Sequence, residues 1–229
     1  MTLRLRVLVP AVLLAALLLA APAGAAGEFI FYGYAQYVPA KDVVGATMDV
    51  YGIAAPGSVA PPIALDFTNY QYTVWVDDMV TATYSNLPTY LKSSSFNGGV
   101  LRVYEDAKAT GTAADYANPA TFTDGTLILQ ASVDDGWSYM LIDGPTIRDG
   151  IFVGSGSGRC DFNGGSRLGD LVAGEYYLDD WSFLGTPVSD PNPSVPAGFH
   201  RVFDVKIVAP NDPTPTEPQS WGQVKDSYR

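Results

Sequence analysis

The stretch IALDFTNYQYTVWVDDMV, residues 63–80, decides the fold class. Ile63, Leu65 and Phe67 alternate on one parity; from Tyr70 the alternation changes parity and runs through Tyr72, Val74 and Val76. Side chains of a strand alternate between two faces, so the change of parity predicts one extra residue, a β-bulge, near Thr68–Asn69. A long, bent, aromatic-rich strand is a natural centre for a sheet. The rest of the chain reads as shorter strands that pair with it or pack over it.

Working outward, EFIFYGYAQY (residues 28–37) is an aromatic first strand, and residues 47–53 form a second, with Met48, Val50 and Gly52 on one face. Three prolines between Ala54 and Pro62 make that segment a loop, because proline cannot donate to a ladder. Further strands are expected at residues 100–104, 126–133, 137–142, 151–162 and 175–184. The turn signals between them are Asn97-Gly98-Gly99, Asp124-Gly125, Asp134-Asp135-Gly136, Asp143-Gly144-Pro145, Asp149-Gly150 and Asn163-Gly164-Gly165. Residues 105–122 read as a loop with a single helical turn near Ala113–Tyr116. In the last strand, residues 199–208, Phe199, Arg201, Phe203, Val205 and Ile207 share one face. His200, Val202, Asp204, Lys206 and Val208 share the other, as in an antiparallel sheet with one wet face. No segment of ten or more residues after the leader carries a 3.6-residue apolar stripe. The expected fold is all-β, an antiparallel β-sandwich of jelly-roll character with about eight to ten strands, with a closed β-barrel as the alternative.

The ends differ in kind. Residues 1–26 have the form of a signal peptide: Arg4 and Arg6, an apolar run from Val7 to Ala20 broken by Pro10, then small residues with A-x-A spacing. The run falls short of the ~20 residues of a spanning helix, so no membrane span is expected in the mature chain. Export to the periplasm, cell surface or extracellular space follows from this reading. The domain is assigned to residues 27–209, and residues 210–229 to a proline-rich linker and short tail. In the tail, Trp221, Val224 and Tyr228 lie at i, i+3 and i+7, a small apolar stripe suited to protein docking. Ten residues are too few for a stable isolated helix, so the stripe would order only on a partner.

The formal charge of −11 becomes −13 once Arg4 and Arg6 are removed (−11 − 2). A nucleic-acid partner needs a basic footprint, so that class is excluded. Acids are divided into 20 Asp and 4 Glu. That bias fits a chain of turns with few helices, since Asp favours turns and Glu favours helices; it also admits calcium, with Asp134, Asp135 and Asp143 as the candidate oxygen ligands. Asp161-x-Asn163-x-Gly165 begins like an EF-hand loop but lacks its later ligands, and reads as a turn. The single Cys160 excludes an internal disulfide and reads as a buried thiol.

Catalytic patterns are weak. GSGSG, residues 154–158, has Gly156 where a nucleophile elbow needs serine. His200 is the one histidine, and with one Cys beside it in the inventory a zinc set is unsupported. The pairs Asp77-Asp78, Glu105-Asp106, Asp134-Asp135 and Asp179-Asp180 are not dyads in themselves, because strand neighbours point to opposite faces. Trp75, Trp137 and Trp181 lie on strands; core packing is the favoured reading of each, and stacking on a sugar is the alternative that makes them candidate ligand-binding residues. The expected function is that of an exported, non-catalytic β-domain with a binding or structural role in the envelope or outside the cell. The alternative is a carbohydrate-binding module or a carboxylate-based carbohydrate-active enzyme.

Overall fold

The computed structural model describes residues 28–56, 63–86, 91–134, 137–142, 154–171, 181–188 and 195–208. They form ten strands: β1 (Glu28–Val38), β2 (Thr47–Ala55), β3 (Tyr70–Asn86), β4 (Leu91–Asn97), β5 (Val100–Ala107), β6 (Thr126–Val133), β7 (Trp137–Ile142), β8 (Gly154–Gly164), β9 (Trp181–Val188) and β10 (Arg201–Val208). All pairings are antiparallel, as expected of the all-β class.

Two pairs of strands are single runs. Residues 91–107 lie antiparallel to β3 in nearly constant register, from Asn86↔Lys92 to Tyr70↔Ala107, so β4 and β5 are one strand kinked at Gly98 and Gly99. These glycines have φ of 63° and 123°, which L side chains rarely adopt. The expected hairpin turn at Asn97-Gly98-Gly99 is therefore a kink, and the positive φ that the motif supplies bends a strand without reversing it. Likewise β7 continues β6, since β6 pairs with β5 and β7 with β4 in matching order. The turn expected at Asp134–Gly136 does not reverse the chain; residues 135 and 136 themselves lie outside the described set.

Counted this way the ten strands are eight runs, and each pairs with its neighbour in sequence. β1 also pairs with β10, from Glu28↔Val208 to Ala35↔Arg201. The sheet thus curls round until its first and last strands meet. Of the two arrangements expected, the pairings follow the up-and-down barrel.

The parity change in the opening stretch has a different cause from the one expected. The Asp66 carboxylate accepts the backbone N–H groups of Thr68 (3.0 Å) and Asn69 (3.2 Å) and the Asn69 side-chain amide (2.7 Å). Such local bonding competes with the ladder, so residues 67–69 turn and the strand starts at Tyr70. The bulge lies farther on, at Asp77–Asp78, two residues opposite Asp49 alone, with Asp78 at φ 58°. A second irregularity falls between Thr81 and Thr83. The single helical turn expected near Ala113–Tyr116 is displaced to a 3-10 turn at Pro119–Phe122, where proline occupies the start.

Inward faces carry Phe29, Phe31, Met48, Val74, Val76, Leu101, Ala131, Phe203, Val205 and Ile207, all buried. Phe29 of β1 touches Phe162 of β8 across the barrel, with ring centroids 6.2 Å apart, so side chains fill the interior between non-adjacent strands. Each large apolar side chain so buried contributes ~1.5–3 kcal/mol. Ile63, Leu65, Phe67, Leu168 and Leu171 close one end of this core, where Arg167 donates to the Ala64 carbonyl (2.9 Å) and ties the two capping loops together. Among the described residues, no helix is long and apolar enough to cross a membrane.

Candidate functional site

The outer face of β1–β2–β3–β5 carries the densest set of chemically distinctive side chains. Cross-strand register sets Tyr34 opposite Tyr51, Tyr51 opposite Trp75, Trp75 opposite Arg102 and Arg102 opposite Gln130. The result is a transverse row across five strands. Tyr51 stacks on Trp75 from one neighbouring strand, with centroids 6.2 Å apart and planes 17° apart. The Arg102 guanidinium approaches the same ring from the other, at 5.0 Å. Both lateral approaches to the indole are therefore taken. Beyond Arg102 the row turns polar: Gln130 donates to Asn163 (3.5 Å), which donates to Ser132 (2.6 Å).

The β5–β6 connection, residues 108–125, folds over this face. Thr73 Oγ1 donates to the Phe122 carbonyl (2.8 Å), Ala114 N–H donates to Gln71 Oε1 (3.2 Å), and Tyr116 packs edge-on to Tyr34 at 4.6 Å. Phe122 and Phe199 join Tyr51 and Tyr116 in a small outer aromatic core. Burial pushes the Tyr116 and Tyr51 phenols up; Tyr34 adds to the first shift, and Asp49 and Asp77 to the second.

Acids flank the row at the β3 bulge. Asp77 pairs with Arg102 at 2.7 Å, and Asp49 accepts the Asp78 backbone N–H at 3.2 Å. Burial raises the Asp49 carboxyl; the hydrogen bond from Asp78 opposes this, while the charges of Asp77 and Asp78 add to it. At one end of the barrel, Arg201 is fully buried and pairs with Asp42 at 2.6 Å, its guanidinium 5.7 Å from the Tyr37 ring; Lys92 lies 3.6 Å from the same carboxylate. At the other end, Tyr72 donates to Glu105 (3.0 Å), which also faces Arg167 (3.7 Å). Carboxylates here are structural acceptors: Asp42, Asp66, Asp77 and Glu105 each hold a cation, a turn or a phenol.

The residues singled out in the sequence are thus dispersed. Trp75 sits at the centre of the outer row. Trp137 opens β7 opposite Phe96 and Trp181 opens β9 opposite Cys160, their side chains outside the described set. Asp134 donates its backbone N–H to Arg159 O (2.9 Å), whereas Asp135 and Asp143 lie outside the described residues, as do residues 1–26 and Trp221, Val224 and Tyr228. His200 Nδ1 accepts the Tyr37 N–H (3.1 Å), which places its remaining proton on Nε2 in the neutral ring. Cys160 is fully buried in the core, and burial drives its thiol pKa up. The Tyr51–Trp75–Arg102 row was not readable as a set, because it depends on register across β2, β3 and β5; alternation alone placed Trp75 on a strand.

None of the family models, curated proteins or solved structures compared with this chain matches it.

Proposed function

We propose that the protein is an exported, non-catalytic β-barrel domain that binds a ligand or builds part of an extracytoplasmic structure. The observation that supports this most is the use made of the acids: Asp42, Asp77 and Glu105 are each spent on a structural partner, and the barrel interior is packed with apolar side chains. The outward faces carry Lys206, Ser132, Thr83 and Asp78, all exposed, while the inward faces are mainly apolar, with Arg201 and Glu105 paired at the two ends. That polarity is the reverse of a membrane-spanning barrel and suits a barrel surrounded by water. Calcium at Asp134, Asp135 and Asp143, and docking through Trp221, Val224 and Tyr228, belong to the same reading as accessory features.

The test is turnover. Purified protein lacking residues 1–26 is incubated with a panel of polysaccharides and chromogenic glycosides. The expected result is no product above the blank. Product that co-purifies with the protein and disappears in Asp77→Asn or Glu105→Gln would favour the carbohydrate-active enzyme. Export is read separately, from cleavage and fractionation of the full chain.

A further inference from the structure

A second feature of the outer face is a pocket of about 110 Å³ where the β5–β6 connection crosses the start of β3, lined by Gln71, Asp106, Lys108 and residues 111–113. Gln71 and Asp106 are direct cross-strand partners, so their side chains leave the sheet side by side. The loop orients the amide: Gln71 Oε1 accepts the Ala114 N–H, which leaves Nε2 as the free end of the group. Nε2 is buried and has no hydrogen-bond partner. An orphaned buried donor is costly, and such atoms in native structures call for an explanation.

Asp106 supplies the complement. Its carboxylate lies directly against Gly111, where even a methyl group would come within 2.0 Å of Oδ1. The glycine thus makes room for a carboxylate inside the loop. Lys108, which also lines the pocket, turns its ammonium to the Phe67 carbonyl at 2.6 Å and makes no direct ion pair with Asp106 among the described residues. The pocket therefore presents one amide donor beside one carboxylate acceptor. A bare cation would meet the positive end of the amide, and an anion would meet the carboxylate. A hydroxyl both donates and accepts, so two adjacent hydroxyls satisfy both groups without bringing charge.

We propose that the pocket formed by Gln71, Asp106 and Gly111 binds adjacent hydroxyl groups of a neutral polyol, a sugar ring being the chemical class that fits. This deepens the binding side of the proposed function and rests on it only in part: saturable binding without turnover supports both, and binding with turnover overturns the non-catalytic reading while leaving the site in place.

The experiment is a titration of the folded protein with D-mannose, D-glucose and glycerol, followed by two-dimensional amide NMR. These probes separate a cis-diol, a trans-diol and an acyclic polyol. At least one sugar should give saturable shifts centred on residues 106–113, in the millimolar range expected of two polar contacts. Asp106→Ala and Gln71→Ala should each weaken it about tenfold or more, the effect of losing one good hydrogen bond. Should Asp106→Ala fail to fold, Gly111→Ala, at an exposed loop position, displaces the carboxylate and gives the same readout. Three results overturn the proposal: shifts that stay linear with every probe, saturation centred on Tyr34, Tyr51 and Trp75, or variants that bind as the parent does. Glycerol binding as tightly as the sugars would overturn the assignment to a ring.

Discussion

Replacing Asp42 by Ala removes the carboxylate from a guanidinium that has no access to water. Arg201 is 0% exposed and its Nη2 lies 2.6 Å from Asp42 Oδ1, so its charge loses this partner without gaining solvent. Breaking one side of a buried pair typically costs ~3–5 kcal/mol. The Asp42 side chain is itself 14% exposed, which places the loss at the lower end, about 3 kcal/mol. Lys92, at 3.6 Å and 16% exposed, adds little, as pairs near the surface contribute about 0–1 kcal/mol. For a domain of this size the loss corresponds to a fall in Tm of roughly 6–12 °C. Urea and thermal melts followed by circular dichroism measure it. Arg201→Met should cost less than Asp42→Ala, because it removes the buried charge and leaves a carboxylate that reaches water. A loss below about 1 kcal/mol for Asp42→Ala, or a larger loss for Arg201→Met, would refute the claim that Asp42 carries the compensation of this charge.

Two more expectations follow from the same structure. Gly165 has φ of 100° and a Cβ there would lie 2.3 Å from the Ile128 carbonyl oxygen, so Gly165→Ala should cost more than about 2 kcal/mol, whereas Gly45→Ala, at φ 86° with open space around it, should cost about 1 kcal/mol; equal losses in parallel urea melts would contradict this. Burial, with the hydrogen bond to Glu105 adding to it, pushes the Tyr72 phenol up to about 12 from 10.0. The folded chain then keeps a proton that the unfolded chain releases. This contribution to stability is complete below pH 10 and is lost as pH rises from 10 towards 12. Tyr72→Phe should flatten the alkaline limb of a pH–stability curve, and an unchanged limb would place the titration elsewhere.

What was legible in the sequence is whatever period two decides. The inward set of β10 from Arg201 onward and that of β2 emerge from alternation alone, and both are found buried; Phe199, expected on the same face, precedes the strand and packs on the outside against Tyr34, Tyr51 and Tyr116 instead. The Glu105-Asp106 pair also divides as adjacent strand residues must: Glu105 accepts from the inward Tyr72, while Asp106 faces Gly111 on the outside. Glycine signals were ambiguous, because positive φ serves a kink as well as a turn. Asn163-Gly164-Gly165 ends a strand, and Gly98-Gly99 bends one. The sites were less legible than the fold. Arg201 and its partner Asp42 are 159 residues apart, and Gln71 meets Asp106 only through the register of β3 and β5. Gly111 was one small residue in a loop; its demand for space exists only once the Asp106 carboxylate is placed beside it.

The pairing of Glu28 with Val208 gives the barrel a modular character. The chain enters and leaves on adjacent strands, about 5 Å apart in the hydrogen-bonding direction. A host protein could therefore carry this barrel as an insertion within one of its own surface loops, with little disturbance on either side. By the same geometry, a few residues joining position 208 to position 28 would permit new ends to be opened in the exposed stretch Val43–Gly45, giving a circular permutant with every ladder of the ring retained.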